Sequence, residues 1–74
     1  MNTTVEKNGF LIGEFAGRIW SYLSKVEKAD AIEIKSRLGL TSSQLFLAIG
    51  WLSRENKIDF WKEKGVYYFK LINK

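Results

Sequence analysis

Apolar residues recur along this chain with two different periods, and the change of period separates a helical part from a strand part. Between residues 10 and 26, Ile12, Phe15, Ala16, Ile19, Leu23 and Val26 follow at three- and four-residue steps, which is one face of an amphipathic helix. Gly13 and Gly17 share a side of that helix, and each costs about 1 kcal/mol relative to alanine. The close approach of a large ring (Trp20, Trp51 or Trp61) offsets such a cost; the backbone of a second copy is the alternative. Residues 27–29 leave room for a brief strand. Asp30 and Glu33 then have the spacing of a capping box, in which the N-cap carboxylate takes an orphan amide and Glu33 reaches back. Ile34 and Leu38 form the buried stripe of this second helix, and Gly39 stops it by taking the left-handed conformation. Thr41 and Gln44 repeat the capping-box spacing. They open a third helix with Leu45, Ala48, Ile49 and Leu52 as its core face. It ends near residues 54–56, with Asn56 as a left-handed cap.

The period then falls from 3.6 to 2. Residues 57–62 and 66–72 alternate and are rich in aromatic and β-branched side chains, the signature of two strands. Glu63-Lys64-Gly65 between them reads as a three-residue hairpin loop with glycine where positive φ is wanted. Ile58, Phe60, Tyr67, Phe69 and Leu71 should point inward. Trp61 and Tyr68 are left on the other face, beside Lys62 and Lys70. The predicted order is helix, brief strand, helix, tight turn, helix, hairpin. This is an α+β arrangement with three helices packed on a C-terminal hairpin, the winged helix–turn–helix plan. The expected organisation is a flexible segment over residues 1–8 and one domain over 9–74. One residue departs from the common pattern: Lys35 follows Ile34 where a small side chain usually faces the third helix, so it must snorkel.

Composition narrows the function. The chain has 74 residues, too few for two cores, and one this short buries roughly 60% of the surface it exposes when unfolded. At 46% hydrophobic and 27% charged residues it should fold. It contains no cysteine and no histidine. Disulfides, thiolate metal sites, thiol nucleophiles, imidazole ligands and the commonest general base are therefore excluded. Its glycines form no phosphate-cradling loop, and Asp30 and Glu33 are already assigned to capping. The expectation is a binding module, not an enzyme, with no cofactor, no metal and no small-molecule ligand.

Charge adds a direction. The net +4 is uneven. Residues 1–40 carry six basic and five acidic groups (+1), whereas residues 41–74 carry six basic and three acidic groups (+3). A basic half attracts polyanions, nucleic acid above all, although a charge of this size also suits a plain solvated surface. No signal peptide is visible. The longest apolar run, residues 45–52, is eight long, against the roughly 20 that a membrane span needs. A cytoplasmic protein with no membrane partner is expected.

The segments Gly13-Glu14-Phe15-Ala16-Gly17-Arg18-Ile19-Trp20 and Ala48-Ile49-Gly50-Trp51-Leu52-Ser53-Arg54-Glu55-Asn56-Lys57-Ile58 resemble a small family of uncharacterised prokaryotic winged helix–turn–helix domains. The resemblance runs from residue 9 onward. It is most specific around Gly50-Trp51-Leu52 and Arg54-Glu55, within an Ala-Ile-Gly-Trp-Leu-x-Arg-Glu signature. It implies the fold and a nucleic-acid-binding role, and it brings no established chemistry.

Opposite the core face of the third helix a helical wheel places Ser43, Leu47, Gly50 and Arg54. Ser42, Ser43 and Gln44 are the candidates for base or phosphate contact near the helix N-terminus; for Gln44 the competing role is the back half of the capping box. Arg54 suits phosphate, or an ion pair with Glu55 or Glu14. Lys62 and Lys64 at the hairpin tip suit backbone phosphate, and are equally ordinary solubility charges. Phe46, Leu47 and Trp51, with Trp61 and Tyr68 on the hairpin, suit a protein interface; Trp51 alternatively packs on the glycines of the first helix. Trp61 and Tyr68 alternatively form a cross-strand pair, or stack bases of single-stranded nucleic acid. Two functions therefore compete. One is a transcription-related module binding double-stranded DNA, with the third helix in the major groove and the wing on the backbone. The alternative is a protein-interaction or homodimerisation module that keeps the frame without reading DNA.

Overall fold

The computed structural model describes residues 8–72, with side chains from Leu11 onward. Six elements follow in order: α1 (Asn8–Leu23), β1 (Ala29–Asp30), α2 (Ala31–Leu38), α3 (Ser42–Arg54), β2 (Ile58–Glu63) and β3 (Val66–Leu71). The strands form one antiparallel sheet in the order β1-β3-β2. The three helices lie on one face of it, and α1 packs chiefly on α3. The α+β winged helix–turn–helix arrangement expected from the periodicities is the arrangement observed. The flexible segment is expected over residues 1–8; residues 1–7 lie outside the described residues, and Asn8 belongs to α1.

Each cap has a visible cause. Asp30, in extended conformation, accepts the Glu33 amide at 2.7 Å and starts α2. Glu33 does not reach back as expected; its carboxylate takes the Tyr22 hydroxyl on α1. Gly39 ends α2 at φ 66°. At α3 the full capping box forms: the Gln44 amide donates to Thr41 Oγ1 and the Thr41 amide to Gln44 Oε1, both at 3.0 Å. Asn56 leaves α3 at φ 57°, the left-handed conformation predicted for it.

The hairpin differs from the three-residue loop predicted. Glu63 pairs with Val66, so only Lys64 and Gly65 form the turn, at φ 52° and 81°. Two successive positive φ values are those of a type I′ turn, whose twist matches that of the flanking strands.

The core collects one stripe from each element, centred on Ile19, Leu23, Ile34, Leu45 and Phe69, all fully buried. Ala16, Ala48, Ile49, Leu52, Ile58 and Leu71 close around them. α1 ends at Leu23, short of Val26, which packs half-buried against the core from the following turn. Across the sheet, Ala29, Phe69 and Phe60 form one row on the helix-facing side. Phe60 was expected inside but is 51% exposed. It borders an open cleft against α3, whose lining there includes the small residues Gly50 and Ser53, and the ring is left uncovered.

Candidate nucleic-acid interface

The turn between α2 and α3 brings two elements to one corner. Lys35 lies near the end of α2, half-buried, and its Nζ donates to Ser42 Oγ at 2.8 Å. The lysine that departs from the usual pattern therefore snorkels as anticipated, and sets a positive charge at the N-terminus of α3. Ser43 beside it is exposed. Gln44 is half-buried and its Oε1 is held by the capping box, which leaves its amide nitrogen as its outward group. Helix N-termini favour anions because their first amides and the helix dipole point at them.

Arg54 is exposed in the last turn of α3. Glu55 pairs with Lys57 at 3.7 Å, not with Arg54. Between the two polar ends the outer stripe is apolar, with Leu47 57% exposed and Gly50 open to solvent.

The two lysines assigned to the hairpin tip part company. Lys64 is within the turn and exposed. Lys62 belongs to β2 opposite Tyr67, with its Nζ 5.3 Å from that ring centroid. It points to the helix-facing side of the sheet, because alternation along β2 puts Ile58, Phe60 and Lys62 together.

The aromatic residues do not form one strip. Phe46 flanks α3 on the hairpin side, edge-on to Tyr67 and Phe69 at centroid distances of 5.6 and 6.3 Å. Trp51 flanks the other side, and its Cζ2 lies 3.8 Å from where a Gly13 Cβ would stand. It is the ring that visits the first glycine, yet it stays 38% exposed. Nothing comes within 4 Å at Gly17. Trp61 and Tyr68 are half-buried on the far face of the sheet, stacked at 5.8 Å and 17°. Lys28 lies over both rings at 6.0 and 5.2 Å. Trp61 thus belongs to a cross-strand pair and not to the exposed strip of α3.

Sequence reasoning missed three features here. Lys35 is expected to snorkel, but nothing in the sequence pointed to its bond with Ser42. Tyr22, tied to Glu33, has its hydroxyl pKa raised above 10.0, first by that hydrogen bond. A cleft of about 500 Å³ between α3 and the hairpin has Phe46, Gly50, Ser53 and Phe60 at its rim and Phe69 among its lining residues. The Ser53 hydroxyl in its wall is shielded and has no hydrogen-bond partner. Among the described residues no helix is long and apolar enough to cross a membrane, and no cluster of three carboxylates is placed to hold a metal ion.

Comparison with known proteins agrees with the architecture. A family model described as "Winged helix-turn-helix domain (DUF2582)" matches residues 4–71. An uncharacterised protein of Methanocaldococcus jannaschii, MJ1608, is 42% identical over 62 residues, 81% of this chain and 89% of that protein. The solution NMR structure of protein BT2368 from Bacteroides thetaiotaomicron superposes with a TM-score of 0.75 at 27% identity, covering 90% of this chain and 79% of the other.

Proposed function

That this chain belongs to the DUF2582 family of winged helix–turn–helix domains is the premise from which we propose its function: it binds double-stranded DNA in a transcription-related role. α3 lies in the major groove and the turn at Lys64 meets the backbone. The observation that carries this reading is the placement of cationic groups at both ends of α3. Lys35 stands 2.8 Å from the Ser42 hydroxyl at one end, and exposed Arg54 at the other. Phosphate contacts at the two ends fix the position of a helix on the duplex. Ser43 and the free amide group of Gln44 face base edges near the helix start, and exposed Leu47 suits contact with a thymine methyl.

The test is a titration of the protein into a labelled random-sequence duplex at two salt concentrations, read by fluorescence anisotropy. Binding should weaken steeply with salt, because each phosphate contact contributes about 0.9 to the log–log slope. The combined Lys35→Ala, Arg54→Ala and Lys64→Ala variant should bind more weakly with a shallower slope. Full-strength binding by that variant removes the site assignment. No binding by the unaltered protein even near about 50 mM salt removes the DNA reading.

A second reading, contact with another protein, is favoured by one observation. Phe46, Leu47 and Trp51 on α3 remain 42%, 57% and 38% exposed, and desolvated aromatic residues are the usual anchors of protein interfaces.

A further inference from the structure

We propose that two copies of this chain join through the free edge of β2, extending the three-stranded sheet across a two-fold axis at Phe60. This goes beyond both readings above: it uses a surface other than the exposed side chains of α3, and it is independent of DNA binding.

Three observations support it. β2 is an outer strand of the sheet and six residues long, so one row of its backbone donors and acceptors has no partner strand among the described residues. An edge of that length is a template for another strand unless something guards it. Lys62, the charge best placed to guard it, lies with its ammonium over Tyr67 of β3, away from the free edge. Phe60 in mid-strand is 51% exposed, and Gly50 across the cleft from it meets nothing within 4 Å. A mid-helix glycine costs about 1 kcal/mol relative to alanine, and at Gly50 none of the described residues makes use of the space.

Among axes at the interior residues of β2, 59 to 62, which keep most of the strand paired, charge selects the register. In a two-fold antiparallel pair, directly opposed residues point to the same face, so the axis passes through a residue of β2. An axis at Asp59 opposes two aspartates. One at Trp61 opposes Asp59 to Glu63 twice. One at Lys62 opposes two lysines. An axis at Phe60 sets Phe60 against Phe60, Asp59 against Trp61 and Ile58 against Lys62, with no like charges directly opposed. Like charges directly across a strand pair are destabilising, whereas aromatic pairs stabilise. The two Phe60 rings then meet on the helix-facing side, beside the apolar clefts of both copies. The stripe of Ser43, Leu47 and Arg54 lies around α3 from that cleft and is left free for DNA.

Sedimentation velocity from micromolar to millimolar protein should show a monomer–dimer equilibrium. Phe60→Lys and Phe60→Glu should each raise the dimer Kd about ten-fold or more, because each places like charges at the axis. An equimolar mixture of the two variants should recover dimer. The chain has no cysteine, so Phe60→Cys offers a background-free second reading: it should form a disulfide-linked dimer under mild oxidation, and Leu47→Cys should not. This reading survives even if a charged variant fails to fold. A monomer at every concentration, charged variants that dimerise undiminished, or cross-linking at position 47 in place of 60 overturns the proposal. Each of these outcomes leaves the duplex titration unaffected, so the two proposals fail separately.

Discussion

The two flanks of α3 contain the same ingredients and end in different states. Towards α1 there is a glycine, Gly13, and an aromatic ring, Trp51, and a Cβ added to the glycine would just reach the ring, at 3.8 Å. Towards the hairpin there is again a glycine, Gly50, and a ring, Phe60, but the two leave an open cleft between them. On the first flank the glycine lies on the helix that receives the ring, and the ring leaves room for little more than a methyl group. On the second, the glycine lies on α3 itself and faces a strand whose ring, though on the helix-facing side, stays 51% exposed. A glycine in a helix therefore says that space was left. It does not say whether this chain or another molecule fills it.

The largest test contrasts the two members of one cross-strand pair. Phe69→Ala should destabilise by about 3–5 kcal/mol, since its side chain is fully buried under α3. Phe60→Ala, its direct neighbour on β2, should cost about 1 kcal/mol or less, measured by urea denaturation at micromolar protein. Equal losses would mean that the hairpin flank is closed in solution. Next, Gly13→Leu should destabilise by about 1–3 kcal/mol through overpacking against Trp51 and shift the tryptophan fluorescence to the red. Gly50→Leu has open space and should neither destabilise nor shift the fluorescence. Thr41→Ala removes the cap common to both flanks and should cost about 1 kcal/mol, without altering the contrast between them. Gly50→Ala is expected to stabilise by up to about 1 kcal/mol.

The smallest effect lies at the joint between α1 and α2. The Tyr22 hydroxyl is held protonated by its bond to Glu33, which raises its pKa above 10.0. The stability this gives is fully present below pH 10 and is lost as the pH rises through the higher folded value. Tyr22→Phe should flatten that alkaline decline in a pH series of denaturation midpoints. An unchanged decline would place its origin elsewhere.

The candidate site was partly legible beforehand. Thr41 and Gln44 announced the start of α3 by spacing alone, since a capping box is closed within four residues. Exposed Ser43, Leu47 and Arg54 followed from the helical wheel. Lys62 and Trp61 were placed less well. Alternation separates the two faces of a strand but does not say which neighbouring ring each side chain meets. Lys62 therefore emerged over Tyr67, and Trp61 in a stack with Tyr68 beneath Lys28. Lys35 at Ser42 was visible as an anomaly, but its partner was not, because that contact depends on the angle at which α2 meets α3.

The sequence by itself determined the elements, their order and most of the core. Period, caps and turn glycines act over a few residues, and the chain carries those signals in full. Tertiary structure alone decided that Glu33 leaves its capping box for Tyr22, that Trp51 fills one flank of α3, and that Phe60 stays uncovered on the other. Each of these outcomes depends on the distance between elements far apart in the chain. That distance is set by the joint packing of all the stripes around Phe69, and no local pattern records it.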